Sequence, residues 1–229
     1  MGPKILLLWD IDGTLLTAGG AGLRALASAL QHVFDIDGSI DDIDFAGRTD
    51  RSIMRQIFRK FGLPATEENF SRFAEGYVAA LPLELANGAV RLLPGIPTLL
   101  DAAAARGDTA VGLLTGNLRR GAEVKLGSRN LWQYFPFGAF ADDAEDRNEL
   151  GPHALRRAQI HHRVEFAAVN TWVIGDTPHD IVCARACHAR ALAVATGRHS
   201  ADQLQALNPD VVFNDLGDVT AFWRVIAGG

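Results

Sequence analysis

The chain has 229 residues, of which 48% are hydrophobic and 21% are charged, and this composition excludes a largely disordered protein. Its 22 basic and 27 acidic residues leave a net charge of −5, which argues against nucleic acid as a partner. The two cysteines are too few for a disulfide scaffold, and no apolar run reaches the roughly 18 residues that a transmembrane span needs. We therefore expect a globular cytoplasmic protein without a membrane partner.

Short apolar runs alternate with helical patterns along most of the chain. Continuous apolarity predicts strands that are buried on both faces, at residues 4–9, 109–114, 171–175 and 190–194. Weaker strand patterns lie at 137–141 and 211–213. Helical patterns occupy 96–105, 119–127, 152–158, 178–188, 202–207 and 219–226. This alternation predicts a doubly wound, Rossmann-like α/β domain with a parallel sheet.

The alternation is interrupted after the first strand. That strand ends at residue 9 and the next convincing one begins at 109, a gap far longer than a single crossover needs. Helical patterns fill the gap at 22–34, 50–61 and 66–83, and Gly19-Gly20 and Pro94-Gly95 flank it. We expect a core domain formed by residues 1–18 and 92–229, and a helical second domain formed by 19–91.

Polar residues directly follow three of the predicted strands, where ligands bind in open parallel sheets. They are Asp10 and Asp12 after the first strand, Thr115, Gly116 and Asn117 after the strand at 109–114, and Asp176 and Asp180 after the strand at 171–175. Four carboxylates meeting in one crevice would repel one another unless a cation lay among them. Oxygen ligands of this kind suit a hard ion such as Mg²⁺.

These motifs resemble those of the haloacid dehalogenase-like superfamily: D-x-D-G-T after an apolar strand, a later strand ending in Thr, and then G-D-x-x-x-D. The helical insert is similar to the C1 cap of that superfamily. With the turn Phe45-Ala46-Gly47-Arg48-Thr49-Asp50, it indicates the phosphoglycolate-phosphatase-like branch. The resemblance extends over essentially the whole chain. It implies an α/β core with a cap inserted after the first strand, and a Mg²⁺-dependent phosphatase of a small phosphorylated metabolite.

The resemblance also implies catalytic roles. Asp10 would be the nucleophile that forms an aspartyl-phosphate, and Asp12 would protonate the leaving oxygen and later activate water. Thr115, together with backbone N–H groups around Gly116 and Asn117, would hold the phosphoryl oxygens.

The same resemblance implies a Mg²⁺ site. The Asp10 carboxylate, the Asp12 backbone carbonyl and Asp176 would hold the ion, with Asp180 supporting it directly or through water. A carboxylate that attacks a dianionic phosphate meets like-charge repulsion, which Mg²⁺ and a basic side chain would offset.

The basic residue of the family is normally a lysine, and this chain has no lysine after Lys125. Arg147 lies after the predicted strand at 137–141 and before a helix, where the family has its basic residue. Arginine keeps the charge and can bind phosphate through two N–H groups. The alternative is that Arg147 pairs only with the neighbouring acids Asp142, Asp143, Glu145 and Asp146.

The insert is expected to select the substrate. Arg48 and Thr49 begin a helix whose N-terminus could meet an anion, so we expect both to bind the substrate and Arg48 to contact the leaving group. The alternative for Arg48 is a solvated surface arginine.

Other functions remain open to different degrees. Within the superfamily, Asp12 favours phosphoryl transfer over dehalogenation, which has no leaving oxygen to protonate. A sugar phosphomutase, or a weakly active phosphate-binding relative without the usual lysine, is an alternative. A phospho-receiver domain is disfavoured because its acceptor does not lie in the first-strand motif. A nucleotide-binding dehydrogenase is disfavoured because no G-x-G-x-x-G follows the first strand.

Overall fold

The computed structural model describes residues 2–228 of the chain. Its strands, in chain order, are β1 (Ile5–Trp9), β2 (Leu16–Thr17), β3 (Arg91–Leu92), β4 (Thr109–Leu114), β5 (Gly138–Ala139), β6 (Thr171–Gly175), β7 (Arg190–Val194) and β8 (Val211–Phe213). Within this part of the chain six strands form one parallel sheet in the order β5-β4-β1-β6-β7-β8, and β2 pairs with β3 antiparallel. The predicted α/β fold with a parallel sheet is confirmed.

The helices connect these strands and cover the sheet. They are α1 (Ala21–Phe34), α2 (Asp50–Phe61), α3 (Glu67–Asn87), α4 (Ile96–Ala105), α5 (Arg119–Gly127), α6 (Leu150–His162), α7 (Pro178–Ala186), α8 (Ala201–Gln205) and α9 (Val219–Ala227). Within residues 2–228 no helix combines the length and the apolar character that crossing a bilayer requires.

Both faces of the sheet are buried, as the continuous apolar runs predict. On β1, Leu6 and Leu8 pack on one face with apolar residues of α6, α7 and α8. Leu7 and Trp9 pack on the other face with residues of α4, α5 and α9. A strand between two helical layers needs apolar side chains at every position, which is why β1 shows no alternation.

The register of the sheet brings the three motifs to one edge. Trp9, the last residue of β1, is paired with Leu113 of β4 on one side and Ile174 of β6 on the other. Parallel strands in this register end at the same level. The residues that follow each of them therefore share one crevice.

Helices α1, α2 and α3 form a three-helix segment that leaves the sheet after β2 and returns to it at β3. Its interior contains aromatic side chains, among them Phe34, Phe58, Phe70 and Phe73, with ring centroids 4.9 to 5.8 Å apart. This interior is continuous with the core on the β1 face that carries Trp9. The three-helix segment therefore packs on the sheet domain through apolar contacts.

Several elements differ from the sequence-based expectation. The strand predicted at 137–141 is only the two-residue edge strand β5, and the pair β2–β3 was not predicted. Helix α3 continues beyond 83 to Asn87, through Pro82, because Leu81 and Leu85 on its buried face keep packing against the core. Helix α6 is longer at both ends than the predicted 152–158.

Candidate active site

Asp10 lies in the crevice at the carboxyl end of β1 and is 4% exposed. Its backbone N–H donates to the carbonyl of Ile174 in β6, at 2.9 Å, which fixes the start of the loop. The fully buried hydroxyl of Thr115, at the end of β4, lies next to its carboxylate and on its own lowers the pKa of Asp10. The side chain that was predicted to be the nucleophile is thus held rigidly by the two neighbouring strands.

Three carboxylates converge at this point, and one oxygen each of Asp10, Asp176 and Asp180 lies within 4.8 Å of those of the other two. Burial, followed by the charge of Asp180, raises the pKa of Asp176 to about 8. Burial also raises the pKa of Asp10 to about 6, although Arg147 opposes the shift. Buried carboxylates so close together repel one another, and a cation relieves that repulsion. This all-oxygen donor set fits a hard divalent ion.

Asp176 is further fixed by its surroundings. The hydroxyl of Thr14 donates to Asp176 Oδ1 at 3.1 Å. Gly13, at φ +83°, passes so close that an added Cβ would lie 2.4 Å from Asp176 Oδ2. The glycine of D-x-D-G-T is therefore required both by its backbone conformation and by this close approach.

Asp180 occupies the first turn of α7, where it closes a capping box. Its Oδ2 accepts hydrogen bonds from the N–H of Thr177 at 3.0 Å and from the Thr177 hydroxyl at 2.7 Å. Its Oδ1 is paired with the guanidinium of Arg147. Asp180 thus combines the role of a helix cap with that of a partner for Arg147.

Arg147 lies in a short 3₁₀ turn, Arg147–Glu149, and its side chain is buried in the crevice. Its Nη2 is 3.1 Å from Asp10 Oδ1 and also pairs with Asp180, while Nη1 donates to the carbonyl of Gly47 at 3.2 Å. Its Nε is buried, with no hydrogen-bond partner among residues 2–228. A buried donor without a partner is costly, so this N–H is available to a ligand.

The acidic residues near Arg147 in the sequence do not form ion pairs with it. Asp143 instead pairs with Arg157, and Glu145 accepts two hydrogen bonds from Arg55 of α2, at 2.5 and 2.6 Å. The structure therefore places Arg147 beside Asp10 and not in the alternative surface pairs.

Asp12 lies on the other side of the crevice and contacts a lysine that the sequence did not identify as a site residue. Its Oδ2 accepts from Lys125 Nζ at 2.6 Å and from Asn117 Nδ2 at 2.9 Å. Lys125 also donates to Asn117 Oδ1 at 2.6 Å. The sequence indicated this lysine only weakly, because it is a single lysine next to apolar residues of α5. Which face of α5 is buried becomes known only when the packing of the helix against its neighbours is known.

Lys125 is buried and still charged. Burial on its own lowers the pKa of Lys125, but Asp12, Tyr77 and Asp50 outweigh that effect and hold the pKa above its usual value. Tyr77 belongs to α3 and Asp50 to α2, so two of these groups come from the three-helix segment.

The three-helix segment contacts the crevice through its backbone. The N–H of Asp50 donates to the carbonyl of Gly116 at 2.7 Å, and the Asp50 carboxylate accepts from the N–H of Leu118 at 2.8 Å. The carbonyl of Arg48 approaches Gly116 so closely that an added Cβ would be 2.1 Å from it. Gly116 is therefore also a docking position for this segment.

The two residues predicted to bind the leaving group have different positions. Arg48 is exposed at the crevice, with its Nε donating to Asp44 at 3.1 Å. Thr49 is buried, and its hydroxyl donates to the carbonyl of Glu145 at 2.6 Å and accepts from the N–H of Ser52 at 3.2 Å. The hydroxyl of Thr49 is thus occupied by the N-cap of α2 and by the contact with Glu145.

In the loop predicted to bind phosphate, residues 115–117, some polar groups already have hydrogen-bond partners within the protein. Asn117 donates its backbone N–H to the Thr115 hydroxyl at 3.3 Å, and its side chain bonds to Asp12, Thr115 and Lys125. Asn117 therefore connects the end of β4 to Asp12 on the other side of the crevice.

The crevice is a cavity of about 460 Å³ between the sheet edge and the three-helix segment. Its lining combines the acids with cationic and apolar side chains, which include Arg48, Lys125, Arg147, Arg198, Leu23, Leu26, Phe45 and Ile53. A cavity of this size accommodates a small molecule.

Comparison with known proteins agrees with this geometry. Residues 7–185 match the family model described as haloacid dehalogenase-like hydrolase. The chain belongs to the haloacid dehalogenase-like hydrolase family. It is 26% identical to a probable phosphatase, IndB, from Dickeya dadantii, over 94% of this chain and 92% of the relative.

Solved structures of haloacid dehalogenase-like proteins have the same fold. CbbY from Rhodobacter sphaeroides, in complex with phosphate, superposes with a TM-score of 0.72 and 16% identity, over 94% of this chain and 96% of CbbY. A candidate β-phosphoglucomutase from Bacteroides vulgatus superposes with a TM-score of 0.68 and 20% identity, over 99% of this chain and 90% of the other. The predictions of the family, of the α/β fold class and of a hydrolase are confirmed.

Proposed function

We propose that the chain hydrolyses the phosphate monoester of a small phosphorylated metabolite through Asp10. The observation that carries this proposal is the buried Asp10 carboxylate, which is in contact with Arg147 and adjacent to Asp176 and Asp180. Asp12 is held separately by Lys125. The similarity to a probable phosphatase supports the same chemistry.

In the first step a carboxylate oxygen of Asp10 attacks phosphorus, and the bond from phosphorus to the leaving oxygen breaks. The carboxyl group of Asp12 donates its proton to that oxygen, so the product leaves as a neutral alcohol. Arg147 offsets the charge on the transferring group, and its unpartnered Nε is a donor for a phosphoryl oxygen. Thr115 and the backbone of Gly116 and Asn117 are proposed to hold the remaining oxygens.

In the second step water attacks phosphorus, and the Asp12 carboxylate takes one proton from that water. The bond from phosphorus to Asp10 breaks, so inorganic phosphate leaves and the Asp10 carboxylate is restored. Asp12 is again protonated for the next cycle. The two steps sum to ester plus water giving alcohol plus phosphate.

The acidic cluster is proposed to hold Mg²⁺. The carboxylates of Asp10 and Asp176 and the backbone carbonyl of Asp12 would be ligands, and Asp180 would support them. When bound, the ion supplies positive charge that reduces the repulsion between the Asp10 carboxylate and the phosphate dianion.

Residues 19–91, which include the three-helix segment, are proposed to act as a cap over residues 1–18 and 92–229. Arg48, exposed on the cap side of the cavity, is proposed to contact the leaving group. Apolar residues such as Leu26 and Ile53 on the same side limit the water that reaches the aspartyl-phosphate.

A sugar phosphomutase is the second candidate. The structural likeness to a candidate β-phosphoglucomutase favours it. A mutase would return the phosphoryl group from Asp10 to a sugar hydroxyl and not to water. Transfer between positions of a hexose phosphate, in the presence of the sugar bisphosphate, distinguishes it from a phosphatase. A phosphate-binding relative with little turnover would show neither reaction.

The deciding experiment measures phosphate release from a panel of phosphorylated metabolites, with MgCl₂ and with EDTA. We expect release that requires Mg²⁺, and a loss of about a thousandfold or more in kcat for Asp10→Asn. Asp37→Asn, at an exposed position outside the cavity, is the matched control and retains activity. Turnover that persists in Asp10→Asn would overturn the proposed mechanism.

A further inference from the structure

Lys125 has no role in the reaction as written above, yet its contacts connect the two halves of the crevice. Lys125 is 4% exposed and lies on α5, outside the three loops that follow β1, β4 and β6. On the core side it contacts Asp12 Oδ2 and Asn117 Oδ1, each at 2.6 Å. On the other side it lies near the phenol of Tyr77.

The N–H donors of Lys125 are directed mainly to groups of the protein itself. An ammonium has three N–H donors and no acceptor. Two of them are directed to Asp12 and Asn117, and the hydroxyl of Tyr77 lies near the ammonium. The charge of Lys125 is therefore used within the protein, whereas Arg147 keeps a buried N–H for a ligand.

The same contacts orient Asp12. Both the Lys125 and the Asn117 hydrogen bonds fall on Oδ2 of that carboxylate. Among the described residues no hydrogen bond falls on Oδ1, so Oδ1 is the oxygen left for the leaving group. Asp12 is otherwise half-exposed, with its side chain 42% accessible, and would have rotational freedom without these bonds.

We infer that Lys125 is a positioning residue, which fixes the Asp12 carboxyl group with Oδ1 directed to the leaving oxygen. The inference rests on the proposed function, because it assigns Lys125 to the general acid of that reaction. It also makes the orientation of Asp12 depend on the three-helix segment, since Tyr77 and Asp50 complete the surroundings of Lys125. With that segment displaced, water replaces both groups and the Asp12–Lys125 pair is screened.

The test compares two aryl phosphates of similar shape that differ in the acidity of their leaving groups. The 4-nitrophenolate of 4-nitrophenyl phosphate leaves readily without a proton, whereas the leaving group of 4-methoxyphenyl phosphate benefits from protonation. We expect Lys125→Met to reduce kcat/KM for the methoxy ester at least about tenfold more than for the nitro ester. Equal losses on the two esters, or no loss, would overturn the inference.

Two further variants make the result decisive. Lys60→Met removes an exposed lysine of α2 that pairs with Asp42, and it should leave the ratio of the two esters unchanged. Tyr77→Phe keeps Lys125 and removes only the hydroxyl near its ammonium, so it should change the ratio in the same direction by a smaller factor. If Lys125→Met does not fold, as judged by its thermal unfolding, an unchanged ratio in Tyr77→Phe overturns the inference.

The proposed function and the inference fail in different ways. If both esters are hydrolysed by Asp10→Asn, the aspartyl-phosphate mechanism is wrong. If Asp10→Asn is inactive and Lys125→Met loses both activities equally, the mechanism stands and Lys125 does not position Asp12.

Discussion

Arg147 stands where the family resemblance leads one to expect a lysine, and its contacts show what an arginine adds there. One nitrogen pairs with Asp10 and Asp180, while another donates to the carbonyl of Gly47 in the loop that precedes α2. A single ammonium could not make contacts in these directions with the same rigid geometry. The guanidinium therefore links the proposed nucleophile to the loop that precedes α2.

Removing this charge should impair the attack by Asp10. We expect Arg147→Ala to lower kcat for 4-nitrophenyl phosphate by about a hundredfold or more, and Arg147→Lys to retain part of the activity because it keeps the charge. Steady-state kinetics with Mg²⁺ measures both. Arg157→Ala, which removes a partly exposed arginine paired with Asp143, is the control. Near-wild-type rates in both Arg147 variants would show that the assignment is wrong.

The sequence predicted the site residues that follow strands and missed those that come from helices. Asp10 and Asp176 were predictable because a buried parallel strand determines where its last residue lies. Lys125 and Tyr77 were not, because the direction of a helical side chain depends on how the helix packs, and one sequence does not reveal that. Thr49 was assigned to the substrate because helix N-termini attract anions, but its hydroxyl is used as the helix cap.

At the level of elements, the three-helix segment is joined to the crevice by main-chain contacts at Gly116. The carbonyl of this glycine accepts the N–H of Asp50, and its Cα faces the carbonyl of Arg48. Glycine is needed here for space, because any side chain would meet the backbone of the incoming loop.

Adding one carbon atom at this position should therefore displace the segment. We expect Gly116→Ala to lower kcat/KM at least about tenfold, because its Cβ would lie 2.1 Å from the Arg48 carbonyl oxygen and prevent close docking. Gly127→Ala, at the end of α5, is the matched control, since nothing lies within 4 Å of its added Cβ. Equal kinetics for the two variants would contradict this role for Gly116.

The elements themselves were predictable where their apolar pattern was long. The five or six residues of β1, β4, β6 and β7 show the continuous apolarity of buried strands. The two-residue strands β2 and β3 have no period to detect, and β5 is the short part of the weak pattern at 137–141 that forms a strand. Helix α3 was predicted to end at 83, but it continues to Asn87 because Leu85 is buried and extends the packing.

For the molecule as a whole, the burial of Asp50 connects domain packing to stability. Burial raises the pKa of Asp50 to about 6 from a usual value of 3.8, although Lys125 and the N–H of Leu118 oppose the shift. The charges of Asp12 and Asp142 add to the increase. Between these two pKa values the folded protein binds the proton more tightly than the unfolded chain does. The contribution of Asp50 to stability therefore decreases as the pH rises from about 4 to about 6.

Asp50→Asn should remove this dependence and keep an acceptor for the Leu118 N–H. We expect the free energy of unfolding of the variant, relative to the natural protein, to increase across this pH range by up to about 3 kcal/mol. Urea unfolding at several pH values between 4 and 7 measures the difference, in which the other titrating groups cancel. A difference that stays constant with pH would show that Asp50 does not titrate in this way.

The antiparallel pair β2–β3 lies where the inserted three-helix segment joins the sheet domain. Leu16 is opposite Leu92 and Thr17 is opposite Arg91, so the chain leaves and re-enters the sheet domain at adjacent points. Residues 18–90 could therefore be exchanged for another inserted domain without changing the connections between the strands of the main sheet. Such an exchange would also remove Asp50 and Tyr77. A transplanted insert would therefore have to provide both new substrate contacts and new neighbours for Lys125.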